Sequence, residues 1–502
     1  MNEEKNRNLP ETQETSPATP VSVSSDTSPA KMEIKMYGSK SVMVDFIDPT
    51  NEISRYPLND LGCGKLFADT FSKILRFVAD ANVWRYYDGV AWRVDVAGII
   101  AENCAKVLVE AMAKHISNAA HRESYVEWLS KGRKRKTMIR EARSTDPLRM
   151  SSFDTVTNLF NCQNVTIDLS TVETTGKVAI RQHNPDDLIT KTANVKYDPD
   201  AKCERWDKFV NEIMCGDKEL AKYLQKSFGY AMAGNNSREF FMILYGQKTR
   251  NGKGTLMETV LNIVGKEEYG ASLSPAGITQ KTTSSNKPSP EFARLAGVRF
   301  VNVSEPDMET RLNVGMMKSL TGGDEITARM LYGNPIEYKP QYVIFINTNH
   351  LFVILDDTIF ASGRVAITPF NKHFEEEERD FNLKSTFKKP ENASAILNWM
   401  LEGYEMYVKE GLSPPQAAID ALIEYRRESD TIALFIEETL EKCEKSERIK
   451  TSDLYKEYQL WCAENEREAR KIHAFHDYLK KNIGVSRIGN MGNTIGGYKI
   501  VG

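Results

Sequence analysis

The chain has 502 residues, 41% of them hydrophobic, with 66 Lys plus Arg against 69 Asp plus Glu and a formal net charge of −3. That length holds two to four domains with buried cores, and the balanced charge excludes a global positive field, so any nucleic-acid surface must be local. No apolar run approaches the ~20 residues that cross a bilayer, and the opening MNEEKNRNLP lacks the apolar core of a signal peptide; an intracellular protein without membrane contact is expected.

Residues 1–33 are rich in Ser, Thr, Pro and Glu and read as a disordered tail. A mixed α/β domain is expected over 34–205. Within it Trp84, Tyr86, Tyr87 and Trp92 flank a turn at Asp88-Gly89, the pattern of a hairpin, and a helix is predicted over roughly 99–117. A basic run follows, Lys131, Arg133, Lys134, Arg135, Lys136, Arg140 and Arg143, opposed by Glu141 alone. It reads equally as a phosphate-contacting patch or as the solvated face of a helix. The seven cysteines, at 63, 104, 162, 203, 215, 443 and 462, have no zinc-ribbon spacing and read as reduced thiols.

A helical lead-in over 206–234 carries Trp206, Phe209, Ile213, Leu220, Tyr223, Leu224 and Phe228 at helical spacing. The core domain is expected over 235–410. Phe240–Leu244 is a short continuous apolar run, as in a strand covered on both faces, and Leu256, Val260, Leu261 and Val264 recur with helical period. Between them lie Gly246, Asn251, Gly252, Lys253, Gly254 and Thr255. Such a loop would set backbone N–H groups, a helix start and an ammonium around a polyphosphate, which points to a nucleotide triphosphatase using ATP and Mg²⁺. The loop is one residue longer than the usual G-x-x-x-x-G-K-[ST], and Gly254 stands where a metal-binding hydroxyl normally follows the lysine, so Thr255 is the metal or phosphate candidate.

The remaining catalytic candidates come in order. The strand-like 298–303 ends in Ser304-Glu305, and a carboxylate there faces the crevice of a parallel sheet; Glu305 is the expected metal- and water-activating acid, with Asp307 nearby. Residues 324–340 read as a hairpin with its tip near Gly333-Asn334. Val343–Ile346 lead to Asn349, a candidate γ-phosphate or water sensor. Arg364 precedes a further strand and is a candidate finger reaching a neighbouring subunit. Residues 411–502, helices followed by a Gly-rich hairpin, suggest a winged-helix-like module.

Taken together, the phosphate loop, Ser-Glu-Pro at 304–306, Lys318-x-Leu-Thr-Gly-Gly-Asp with Ala328-Arg329, Thr348-Asn349-His350 and Gly363-Arg364 resemble a superfamily 3 helicase. More closely, they resemble the helicase part of the phage/plasmid primase family, relatives of the poxvirus helicase–primase. Asn59-Asp60-Leu61-Gly62, the Trp84…Gly89…Trp92 box and Asn184-Pro185-Asp186-Asp187-Leu188 extend the likeness to about residues 55–502. It implies an AAA+ P-loop core, a hexameric ring, Lys253 and Thr255 on phosphate, Glu305 activating water, Asn349 as sensor, Arg364 as a finger in trans, and Arg329 and Lys339 gripping single-stranded DNA in the ring channel. The implied protein is a replicative DNA helicase of a phage or mobile element, working in the bacterial cytoplasm on single-stranded or forked DNA with other replication proteins. The alternatives are an origin-binding loader whose ATPase does not unwind, and a bifunctional helicase–primase. No carboxylate cluster or zinc ribbon for primer synthesis is found ahead of the helicase, so a helicase alone is the expectation.

Overall fold

The computed structural model describes residues 29–38, 40–279, 290–304, 311–329, 335–354, 358–444, 446–465, 467, 469–489 and 492–501. Near the start, Lys31–Lys35 pairs antiparallel with Ser41–Asp45. Met32 and Ile34 are buried while Lys31, Glu33 and Lys35 are exposed, the alternation of a half-buried strand. Residues 31–33, which composition assigns to the tail, therefore belong to the folded domain.

Leu75–Val78, Val83–Tyr87 and Trp92–Val94 form an antiparallel meander. Its second turn is held by Asp88, whose Oδ1 accepts from the backbone N–H groups of Val90 and Ala91 at 2.9 Å each. Trp84, Tyr86, Tyr87 and Trp92 are buried in one core with helices Asp60–Phe71, Ile99–His115, Ala119–Ser130 and Gly132–Ala142. The aromatic box is thus the interior of the N-terminal domain.

Packing does not divide where composition and periodicity suggest, at 205. The first core ends at Phe153. From Phe160 on, Cys162, Ile167, Leu169, Ala193 and Val195 share a core with Trp206, Phe228 and the helix after the phosphate loop. The small sheet Leu159–Asn161, Thr166–Asp168 and Ala179–Arg181 is therefore a platform of the second unit. Helices Glu204–Ile213 and Lys218–Met232 follow.

At the centre is a five-stranded sheet, parallel throughout, in the order Gly270–Leu273, Phe300–Ser304, Val343–Thr348, Phe241–Tyr245, Val365–Pro369. Its strands read as unbroken apolar runs because both faces are covered. Met242, Leu244, Val343 and Phe345 enter the core shared with the lead-in helices, whereas Phe241, Ile243, Ile344 and Ile346 enter a second core on the opposite face. Ile326–Arg329 and Pro335–Tyr338 form a separate antiparallel hairpin; the expected tip, 330–334, lies outside the described residues.

Helix Pro390–Glu410 closes the sheet unit, and Gln416–Ser429 still belongs to it, with Tyr425 buried under the sheet and its hydroxyl donating to the Phe352 carbonyl at 3.0 Å. A fourth core, from Ile432 to Ile495, joins helices Thr431–Thr439, Thr451–Glu464 and Ile472–Asn482 to short antiparallel strands, among them Arg448–Lys450, Ser486–Ile488 and Gly492–Gly496. All seven cysteines are free thiols. Among the described residues no helix is long and apolar enough to cross a membrane.

Candidate active site

Strand Phe241–Tyr245 hands over to helix Lys253–Val264 through a loop whose two outer glycines are forced by their surroundings. Gly252 has φ +86°, and a Cβ there would lie 2.4 Å from Ile213 Cγ2 of the lead-in helix. A Cβ on Gly246 would lie 2.2 Å from the Asn251 amide and 2.7 Å from the Phe370 carbonyl oxygen. Gly254 differs, since a Cβ there meets nothing within 4 Å. Asn251 is buried, and its Nδ2 donates to the carbonyls of Lys248 at 2.6 Å and Gly246 at 3.4 Å; it staples the loop from inside. From outside, the segment after the last sheet strand braces it: Phe374 N donates to the Arg250 carbonyl at 2.9 Å, and His373 Nδ1 lies 2.8 Å from the Thr249 carbonyl.

Gly252 offers no side chain to cap the helix, so the first backbone N–H groups are left for another acceptor. Lys253, only 3% exposed, donates from Nζ to Asn349 Oδ1 at 2.7 Å and to the Gly246 carbonyl at 3.2 Å. The sheet register explains the meeting. Thr348 lies opposite Tyr245, so the residues just beyond both strand ends share one edge although they are 96 positions apart. Thr255, half-buried, sits two positions into the same helix. Ser304 lies opposite Asn347, so the third strand ends at this edge too; Glu305 and Asp307 themselves lie outside the described residues. Farther along the helix, Glu258 is pulled down to about 2 by hydrogen bonds from Lys384 at 2.6 Å and Lys388 at 2.8 Å, tying the helix to Leu383–Phe387.

The other candidates lie elsewhere. Arg364 precedes its strand and so stands at the opposite edge of the sheet, where Nη2 is paired with Glu239 and Nη1 donates to Thr321 Oγ1 at 3.1 Å. It does not reach the phosphate loop of its own chain. Arg329 and Lys339 do not sit together. Arg329 is paired across from Pro335 beside the tip, and Lys339 follows the second strand at the base, about 14 Å away along the ladder. Periodicity puts both on one hairpin; register puts them at its two ends. Sequence reading missed Glu239, the partner of Arg364, and the brace at 370–374, because neither belongs to a recognisable local pattern.

Three family descriptions match parts of the chain: D5 N terminal like over residues 64–215, a family of unknown function over 244–364, which holds the phosphate loop, and Poxvirus D5 protein-like over 427–493. A protein of Acanthamoeba polyphaga mimivirus named "Putative helicase" is 31% identical over 304 residues, 56% of this chain and 31% of that protein. One of Frog virus 3 with the same name is 25% identical over 266 residues, 50% of this chain and 27% of the relative. A "Putative primase" of African swine fever virus is 23% identical over 252 residues, 47% and 26%. The apo NrS-1 C-terminal region has a similar course over 88% of this chain and 100% of its own, at 11% identity and a TM-score of 0.44. The chain therefore resembles D5-type primase–helicase proteins at both ends, and its match spans about a third of the length of the first relatives. Those relatives come from viruses of eukaryotes, where the sequence resemblance suggests a phage in a bacterial host.

Proposed function

We propose that this chain is the motor part of a D5-type viral replication protein, an ATP-hydrolysing superfamily 3 helicase with an AAA+ core that moves along single-stranded DNA. The observation that carries the reading is the 2.7 Å contact between Lys253 Nζ and Asn349 Oδ1, at the carboxyl edge of a parallel sheet, where α/β folds bind their ligands. The position of the loop-bearing strand between the Asn349 strand and the last strand supports the AAA+ assignment.

The residues present fit a nucleoside triphosphate. The helix start is uncapped, the Lys253 ammonium donates to the oxygens of Gly246 and Asn349, and the space at Gly254 is open. Lys253 and the first helical N–H groups hold phosphate oxygens in this reading, and Thr255 and Glu305 hold Mg²⁺ directly or through water. Bound Mg²⁺ supplies positive charge against the phosphates. Glu305 polarises the attacking water, and Asn349, released from Lys253, orients it. Arg364 acts on the site of the next subunit, which fits its place at the far edge of the sheet and implies a head-to-tail ring, six-membered by family likeness. Arg329, beside the hairpin tip, contacts DNA in the channel, and Lys339 supports the hairpin base. The C-terminal core serves as a winged-helix-like module for DNA or replication partners.

The test is unwinding of a forked DNA duplex by the intact chain beside Lys253→Ala. Unwinding should vanish in the variant, and hydrolysis should fall roughly 100-fold or more. Hydrolysis by the intact chain without unwinding would favour the loader, and no nucleotide-dependent activity in either protein would overturn the motor. A helicase joined to primer synthesis is the second reading, favoured by the primase name of one relative; ribonucleotide incorporation on a single-stranded template would establish it.

A further inference from the structure

The basic run has two readings in sequence, and the structure separates its cations into two groups. Helix Gly132–Ala142 buries Met138, Ile139 and Ala142 against the N-terminal core. Four of the cations are used within the domain. Lys131 lies 3.5 Å from Glu127; Lys134 is 2.9 Å from Asp60 and stacks 3.9 Å from the Trp128 ring; Arg135 donates to the carbonyls of Leu129 at 2.8 Å and Ser130 at 2.6 Å. Arg143 lies over the Phe77 ring at 5.0 Å.

Arg133, Lys136 and Arg140 are left. All three are exposed, and their i, i+3, i+7 spacing sets them on one face. Among the described residues Arg133 and Lys136 form no ion pair, and Arg140 touches only its neighbour Glu141 at 3.0 Å. With Gly132 and Thr137 they line a shallow, open hollow on the helix face. Gly132 opens the helix, and Lys131 at its N-cap makes no side-chain capping bond, so free backbone N–H groups border the same hollow. The stripe extends roughly 10 Å along the helix, about the rise of three nucleotides in one strand.

We propose that this face of the N-terminal domain holds the phosphate backbone of a nucleic-acid strand, without reading its sequence, at a site separate from the hairpin and the phosphate loop. No aromatic side chain lines the hollow to stack a base, so recognition is by charge alone. The inference rests on the proposal that the protein works on DNA.

The test is fluorescence anisotropy of a labelled thymidine oligonucleotide binding the full chain across a salt series, with the triple variant R133A/K136A/R140A and a charge-keeping variant R133K/K136R/R140K. Alanine is well tolerated on an exposed helix, and an unchanged melting temperature verifies folding. The triple variant should lose about 2 from the magnitude of the log-affinity against log-salt slope, three contacts at ~0.7 each, and bind at least tenfold more weakly. The charge-keeping variant should match the parent, and DNA-independent ATP hydrolysis should stay within twofold in all three. A parent that binds with a slope the triple variant shares overturns this site alone, including the case in which the patch serves an acidic protein. A parent that binds no DNA overturns both this inference and the function on which it rests.

Discussion

Two buried cations, one at each edge of the central sheet, show how little burial says about function by itself. Arg299 is 2% exposed and Lys253 3%. Arg299 is sealed: it donates to the carbonyls of Thr157, Met232 and Leu159, lies 5.5 Å from the centre of the Tyr269 ring, and has its guanidinium pushed below the ordinary arginine range by desolvation. These acceptors come from the small sheet, the turn just before it and the lead-in helix, so the side chain rivets these segments to its own strand. Lys253 shares its ammonium between a side-chain amide and a loop carbonyl beside an uncapped helix start. A phosphate can replace those oxygens with little rearrangement. Fixed backbone acceptors mark structure, whereas exchangeable acceptors beside free donors mark a site.

The sharpest break of that comparison is to remove each cation in turn. Lys253→Ala should abolish ATP hydrolysis, roughly 100-fold or more, with a melting temperature within a few degrees of the parent. Arg299→Leu leaves buried carbonyls unsatisfied and should lower stability by about 3 kcal/mol or more, read as a melting temperature down by several degrees. The two results exchanged would refute the distinction.

Next in size are the glycines. Gly246→Ala drives a methyl into the Asn251 amide and the Phe370 carbonyl and should cost at least tenfold in nucleotide affinity, measured by titration with a fluorescent ATP analogue. Gly254→Ala, with open space at its Cβ, should stay within about threefold. Equal losses would mean that the loop is not set by those contacts.

Arg364→Ala subunits mixed with Lys253→Ala subunits should regain part of the hydrolysis that each lacks alone, since each supplies what the other has lost. No recovery would leave Arg364 as the partner of Glu239 and nothing more.

The smallest effect concerns Glu258. Its carboxyl titrates lower in the folded protein than in the unfolded chain, so its contribution is present above about pH 4.5 and fades as pH falls towards 2. Being partly exposed, the cluster is worth about 1 kcal/mol or less. Glu258→Gln should melt slightly below the parent at pH 7, and the gap should close as the solution is acidified; a gap that widens in acid would contradict the sign.

Much of the core was legible in the chain itself. The continuous apolar strands, the helical period after Lys253 and the Asp88-Gly89 turn are patterns over a few residues, set by backbone geometry and by which faces are covered. Local pattern also found Lys253 and Asn349, because one opens the helix after a glycine-bounded loop and the other follows directly on a strand. It did not reveal that they touch, since only strand order and register bring positions 96 apart together. Composition placed residues 31–33 in a tail because a two-stranded ribbon with a far-off core leaves little mark in five residues. That the residues before 205 share a core with those after it was hidden for a related reason: Phe160 and Ile167 are apolar whichever core receives them.

What the sequence determined by itself is therefore the kind of elements and the chemistry carried at their ends. Tertiary structure decided most of which charges are engaged. Lys134 finds Asp60 across 74 positions, Arg364 finds Glu239 across 125, and Arg299 finds carbonyls up to 142 away, while Arg133, Lys136 and Arg140 share an unburied face. The physical reason is that a charge is neutralised by what lies within a few ångströms of it, and chain proximity supplies only part of that neighbourhood.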